Sequence, residues 1–168
     1  CELEHALELP FHPDSIFVED CAVVVPELAI VTRPGAESRR EEVFSIAEVL
    51  ERFREKVYYI EAPGLLDGGD VLRVGKQIWV GLSGRTNADA VLQMQSILKP
   101  HGYSVDAVRL QGGCLHLKSA VTQVAEDTLL LNPDWVDPAT FPGFDIIETD
   151  PDEPGAGNAL LIGDTVIY

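Results

Sequence analysis

Asp20, Asp67 and His116 follow one another at intervals of 47 and 49 residues, within Phe17-Val18-Glu19-Asp20, Leu66-Asp67-Gly68-Gly69-Asp70 and Leu115-His116-Leu117-Lys118. So regular an interval marks an internal repeat, which would bring two carboxylates and one imidazole from equivalent positions toward a common centre. Two acids suit a cationic, planar substrate, and an imidazole titrates near neutrality, where protons must be moved. Two arginines add to the pattern. Arg39 lies nineteen residues beyond Asp20 and Arg85 eighteen beyond Asp67. At equivalent places a guanidinium fork can hold a carboxylate in bidentate geometry. In the third copy Asp134 takes that offset, so the arginine is not repeated throughout.

The elements that must position these groups repeat as well. Each polar residue precedes an apolar run, a turn and a second apolar run, the pattern of a hairpin. In the first copy Ala22 to Val25 and Leu28 to Thr32 flank Pro26-Glu27; in the second, Val71 to Val74 and Ile78 to Val80 flank Gly75-Lys76. A third pairs Val121 to Val124 with Leu129 to Leu131 around Glu126-Asp127, and a fourth begins at Asn158 with Ala159 to Ile162, Gly163-Asp164 and Val166 to Tyr168. After the first two hairpins the apolar residues change to helical spacing: Val43, Ile46, Ala47, Leu50 and Phe53, then Val91, Met94, Ile97 and Leu98. Ser38, and Thr86 or Asn87, are the expected N-caps. Short strands follow at Val57 to Ile60 and Val105 to Val108. The unit is therefore about three strands and one helix, an α/β pattern.

Each of these residues has a plainer reading taken singly. Asp-Gly-Gly-Asp is commonly a turn, a histidine between Leu115 and Leu117 is commonly packed, and Arg39 and Arg85 can pair with helix neighbours such as Glu42 or Asp89. Their joint recurrence favours the site. Cys114 shares a strand face with His116 if that segment is extended, yet a lone cysteine is usually a small buried hydrophobe. Cys21, directly after Asp20, reads as structural, and Cys1 at the start of the sequence is unreadable.

Of the 168 residues 46% are hydrophobic, and 12 basic against 28 acidic side chains give a formal charge of −16. That balance disfavours nucleic acid and anionic membrane surfaces as partners. No apolar run approaches the roughly 20 residues of a membrane-spanning helix. Three widely spaced cysteines without a Cys-x-x-Cys pair fit a reduced, cytoplasmic protein. The turn-rich stretch Pro151 to Gly157 reads as a loop within one domain, residues 1–168, expected to be incomplete at both ends.

The blocks Asp14-Ser15-Ile16-Phe17-Val18-Glu19-Asp20, Thr32-Arg33-Pro34-Gly35-Ala36-Glu37-Ser38-Arg39-Arg40, Leu66-Asp67-Gly68-Gly69-Asp70, Gly84-Arg85-Thr86-Asn87 and Leu115-His116-Leu117-Lys118-Ser119 resemble the dimethylarginine dimethylaminohydrolases. The similarity runs over essentially the whole chain, through Gly157-Asn158. It implies the guanidino-group-modifying superfamily of arginine deiminases and amidinotransferases. The implied fold is the pentein fold, a pseudosymmetric five-bladed α/β propeller of ββαβ modules, of which three and part of a fourth are present here.

The resemblance also implies a reaction: a cysteine thiolate attacks the guanidinium carbon of an N-methylated arginine, methylamine or dimethylamine departs, and hydrolysis yields citrulline. No residue here matches the family's nucleophile, which is expected outside this chain. Asp20 and Asp67 match the positions that fix the guanidinium plane and keep it cationic and electrophilic. His116 matches the general acid and base, Asp14 and Glu19 the groups around the substrate's amino end, and Arg39 and Arg85 those holding its α-carboxylate. Neither a metal nor a cofactor is required, the partner is a small molecule, and a homodimer stays open. A non-catalytic binder of arginine-like cations is the alternative from another class, and an arginine deiminase or amidinotransferase is the nearer one. The paired arginines favour an amino acid over agmatine.

Overall fold

The computed structural model describes residues 3–168, so Cys1 lies outside the described residues. The chain is a mixed α/β protein with small sheets: three of three strands and one of two among the described residues. It divides into two compact units. One holds residues 3–68 and Gly84–Ser104; the other holds Gly69–Ser83 and Val105–Tyr168.

In the first unit β1 (Ala22–Val25) and β2 (Leu28–Val31) form an antiparallel hairpin, and β3 (Val57–Tyr59) lies parallel to β2. Helix α1 (Val43–Leu50) makes the crossover that a parallel pair needs. All four residues of β2 are buried, as expected for a short apolar strand with neighbours on both edges. Cys21, Val31, Val43 and Ala47 pack together, with Ile46 and Val57 against them.

Helix α1 starts where its apolar period begins, later than a Ser38 cap would place it, and stops before the last residue of that period. Ser38 does not cap it. Residues Glu37–Arg39 form a 3-10 turn, Glu42 occupies the cap position without a side-chain cap bond, and the helix ends at Leu50. Phe53 falls in the turn beyond and is half exposed. Helix α2 (Ala88–Leu98) is capped as anticipated: the Asn87 side-chain oxygen accepts from Ala90 N at 3.1 Å. That oxygen also accepts from Leu65 N at 3.0 Å, and its amide donates to the Pro63 carbonyl at 2.9 Å. One side chain thus caps the start of a helix and pins the loop that carries Asp67. The alternative cap, Thr86, does not occupy the cap position; its hydroxyl accepts from Asp67 N at 3.1 Å.

In the second unit β4 (Val71–Val74) and β5 (Gln77–Leu82) make an antiparallel hairpin, with β6 (Ser104–Arg109) as the third strand of that sheet. After a four-residue helix, α3 (Leu117–Ala120), come β7 (Val121–Ala125) and β8 (Thr128–Leu131), antiparallel, with β9 (Asp145–Glu148) parallel to β8. The last hairpin is β10 (Leu160–Ile162) with β11 (Thr165–Ile167). Leu72, Trp79, Val108, Leu117, Val121, Leu129, Leu131 and Phe141 are in one apolar core. Its centre is aromatic: the Trp79 ring meets Phe141 edge-on at 5.3 Å between centroids, and Phe144 at 5.7 Å. Such pairs contribute about 0.5–1.5 kcal/mol beyond their burial. This core anchors α3, and α3 begins immediately after His116.

Candidate active site

Asp20 lies in a 3-10 turn, Val18–Cys21, that leads into β1, and its backbone is fixed from two sides. Its N–H donates to the Phe17 carbonyl, and its own carbonyl accepts from the Thr32 hydroxyl at 2.6 Å. The side chain meets Arg39 in the interior, where Arg39 Nη1 donates to Asp20 Oδ2 at 2.6 Å. Arg39 Nε donates to Glu42 Oε2 at 2.9 Å, and Nη2 to the carbonyls of Asp14 at 3.1 Å and Phe17 at 3.3 Å. One guanidinium therefore holds two carboxylates and the turn before Asp20. Burial alone would weaken the Arg39 proton, but the hydrogen bonds from Glu42 and Asp20 outweigh it and raise the pKa.

Arg39 is only 5% exposed, and the forks of its guanidinium face Asp20 and Glu42. The local pairing with Glu42 that the sequence allowed is present. The bond to Asp20, nineteen residues away, joins it. The Asp14 side chain is exposed, and so is Glu19.

The second repeat brings the equivalent pair together more loosely. Arg85 Nη1 lies 3.7 Å from Asp67 Oδ2, with the Arg85 side chain about one-third exposed and Asp67 fully buried. Asp67 Oδ1 accepts from Gly35 N at 2.9 Å. In both copies the aspartate thus sits beside the arginine of its own repeat, which explains their shared offset. Two glycines let the loops approach: a Cβ at Gly35 would run into the Arg85 backbone, and one at Gly68 into the Glu19 carbonyl oxygen. Within this unit a carboxylate oxygen of Asp20 and one of Asp67 lie within 4.8 Å of each other. Two acids so close favour a cation between or across them.

Cys21, next to Asp20, is buried, and burial first and then the nearby acids Glu42, Asp20 and Asp67 push its thiol up to about 11 despite Arg39. A thiol so raised is a poor nucleophile at neutral pH, consistent with its structural reading.

In the second unit His116 occupies the residue before α3 in an extended conformation, φ −139° and ψ 153°. Its carbonyl accepts from Ser119 N and from the Cys114 thiol at 3.0 Å. Burial raises the Cys114 pKa, with Asp70 adding to the effect and the bond to the His116 carbonyl opposing it. Cys114 is therefore not an activated thiolate.

The imidazole is 3.5 Å, Nδ1 to Oδ2, from Asp70, a fully buried acid. The sequence carries no signal that marks Asp70, Ser83 or Glu42 as site residues. Asp70 stood in the quoted motif, but its spacing from Asp67 carries no signal of what it faces. Glu42 was visible only as a helix neighbour of Arg39.

Known proteins are similar to this chain over most of its length. The N(G),N(G)-dimethylarginine dimethylaminohydrolase of Pseudomonas aeruginosa is 43% identical over 156 residues, covering 92% of this chain and 61% of its own length. That of Streptomyces coelicolor is 44% identical over 156 residues, with 92% and 59% covered. Among solved structures, a mutant of the P. aeruginosa enzyme complexed with citrulline superposes with a TM-score of 0.88 at 42% identity, over 93% of this chain and 61% of that one. The N-terminal domain of a cyanobacterial arginine dihydrolase, at 20% identity, shares the fold with a TM-score of 0.84, over 96% of this chain and 63% of that one. No protein-family profile matches the chain. The chain spans about 60% of the length of the two curated relatives. By sequence and fold alike the chain is similar to these dimethylarginine dimethylaminohydrolases over the part of their length that it spans.

Proposed function

We propose that the full-length protein hydrolyses N-methylated arginine, asymmetric dimethylarginine or monomethylarginine, to citrulline and dimethylamine or methylamine. The observation that carries this reading is the Asp20–Asp67 carboxylate pair, within 4.8 Å, in a homologue of enzymes named for that activity. A guanidinium resists attack because its charge is delocalised. Two carboxylates hold its plane and keep it protonated, which preserves the electrophilic carbon.

In the proposed reaction a cysteine outside this sequence adds its thiolate to the guanidinium carbon, and His116 donates a proton to the departing amine as the C–N bond breaks. His116 then takes a proton from water. The hydroxide attacks the same carbon, the C–S bond breaks, and the thiolate is restored. Asp14 and Glu19, both exposed, serve the amino end of the substrate. Arg85, with its guanidinium partly in solvent, is the first contact for the α-carboxylate. Arg39 joins it by giving up part of its hold on Asp20 or Glu42. The proposal includes a single catalytic domain and the pseudosymmetric propeller of ββαβ modules for the complete protein, acting in the cytoplasm.

The test is to incubate the full-length protein with asymmetric dimethylarginine and with arginine, and to measure citrulline and released amine. Citrulline from dimethylarginine is expected. Turnover of arginine alone would redirect the reading to a deiminase, and binding of dimethylarginine without turnover to a cation binder.

A further inference from the structure

The second acid of Leu66-Asp67-Gly68-Gly69-Asp70 has no part in the hydrolysis as proposed, yet it is one of the most completely buried polar residues described. Asp70 is 0% exposed. A carboxylate placed there must find partners or carry a heavy desolvation cost. Its partners are specific. Oδ2 accepts from the Ser83 hydroxyl at 2.6 Å, and Oδ1 accepts from the Leu117 backbone N–H at 3.0 Å. The same Oδ2 lies 3.5 Å from His116 Nδ1.

One carboxylate therefore holds the backbone of Leu117 and faces the ring of the adjacent His116. Ser83, just after β5, sets the rotation of that carboxylate. Gly81 keeps space for it, since a Cβ there would stand 3.0 Å from Asp70 Oδ1 and 2.9 Å from Leu117 Cβ.

The geometry points to Asp70 as the positioning residue of His116, a role that rests on His116 being the general acid and base. A carboxylate only accepts hydrogen bonds. The ring nitrogen turned toward it must carry the proton, so neutral His116 is the Nδ1–H tautomer and Nε2 is left with the lone pair that takes and returns protons. The 3.5 Å separation is longer than a formed hydrogen bond. Catalytic contacts of this kind commonly tighten when substrate is bound. Asp70 also stabilises the imidazolium that forms after water is deprotonated. Ser83 acts one step further out, by holding Oδ2 toward the ring.

A purely structural Asp70 would only cap α3 through Leu117 N, and the two roles separate experimentally. Full-length protein labelled with 15N at histidine is compared as wild type, Asp70→Asn and Ser83→Ala. In the wild type His116 is expected as the Nδ1–H tautomer. Asp70→Asn, which keeps the shape and can present an N–H to the ring, is expected to shift it to Nε2–H. In the same preparations kcat for dimethylarginine should fall about 100-fold, the lower part of the range for general acid–base groups, with KM within about twofold. Ser83→Ala should give a smaller kcat loss in the same direction, which keeps the test open if Asp70→Asn folds poorly.

A wild-type Nε2–H tautomer, or a tautomer and kcat untouched by both substitutions, overturns the assignment. Wild-type protein that shows the Nδ1–H tautomer but no turnover of dimethylarginine overturns the hydrolase reading instead.

Discussion

Replacing Arg39 with methionine keeps most of the side-chain volume and removes the charge that Asp20 and Glu42 share. The magnitude follows from burial. The side chains of Arg39, Asp20 and Glu42 are 7%, 10% and 2% exposed, so the loss strands two acids where solvent cannot compensate them. Breaking a buried pair in this way costs about 3–5 kcal/mol. For a protein of this size that is a fall in Tm of roughly 6–20 °C. Arg85→Met is the internal control, since it removes the equivalent arginine of the next repeat. Its contact is 3.7 Å and its side chain 34% exposed, so its cost should be about 1 kcal/mol.

Urea unfolding of the two variants, followed by tryptophan fluorescence and by far-UV circular dichroism, measures both. A third variant combines Arg39→Met with Glu42→Gln. By removing one stranded charge it should cost less than the sum of the single changes, by roughly 0.5–3 kcal/mol. Equal losses for Arg39→Met and Arg85→Met, or strict additivity in the double variant, would refute the claim that Arg39 is the electrostatic hub of this loop.

Two more outcomes can be checked on the same protein. The Cys21 thiol is raised from its ordinary 9.0 to about 11, so the native state holds a proton that the unfolded chain has released. Its contribution to stability is whole below about pH 9 and is lost as the pH climbs from there through about 11; Cys21→Ala should flatten the alkaline fall in unfolding free energy across that window, and an unchanged slope would contradict it. Gly68→Ala drives a Cβ into the Glu19 carbonyl oxygen, a backbone atom that cannot rotate away. A loss of about 1–3 kcal/mol is expected, with Gly84→Ala, where a Cβ meets nothing within 4 Å, costing markedly less in thermal unfolding.

The repeat was legible because its signals are local and periodic. Each hairpin pairs within a residue of the run that announced it, as in β4 and β5 around Gly75, whose φ of +59° suits a turn glycine. Helix limits were less legible where tertiary contacts override propensity. The segment before α1 is held by Arg39 and Glu42, so the 3-10 turn at Glu37–Arg39 takes the place that Ser38 seemed to offer for a cap. At the site, offsets of nineteen and eighteen residues marked Arg39 and Arg85 as equivalents, but they could not say that each guanidinium turns to the aspartate of its own repeat. Near-equal spacing marks two residues that look interchangeable in sequence and differ in the fold: one is enclosed by Glu42 and the carbonyls of Asp14 and Phe17, the other is partly open to solvent. Glu42 breaks the symmetry. The second repeat places Asp89, rather than a glutamate at i+3, after its arginine, and without that buried acid Arg85 stays partly in solvent. The repeat thus sets its two arginines in different surroundings on one scaffold, Arg39 buried among the groups of the Asp20 loop and Arg85 about one-third exposed beside Asp67.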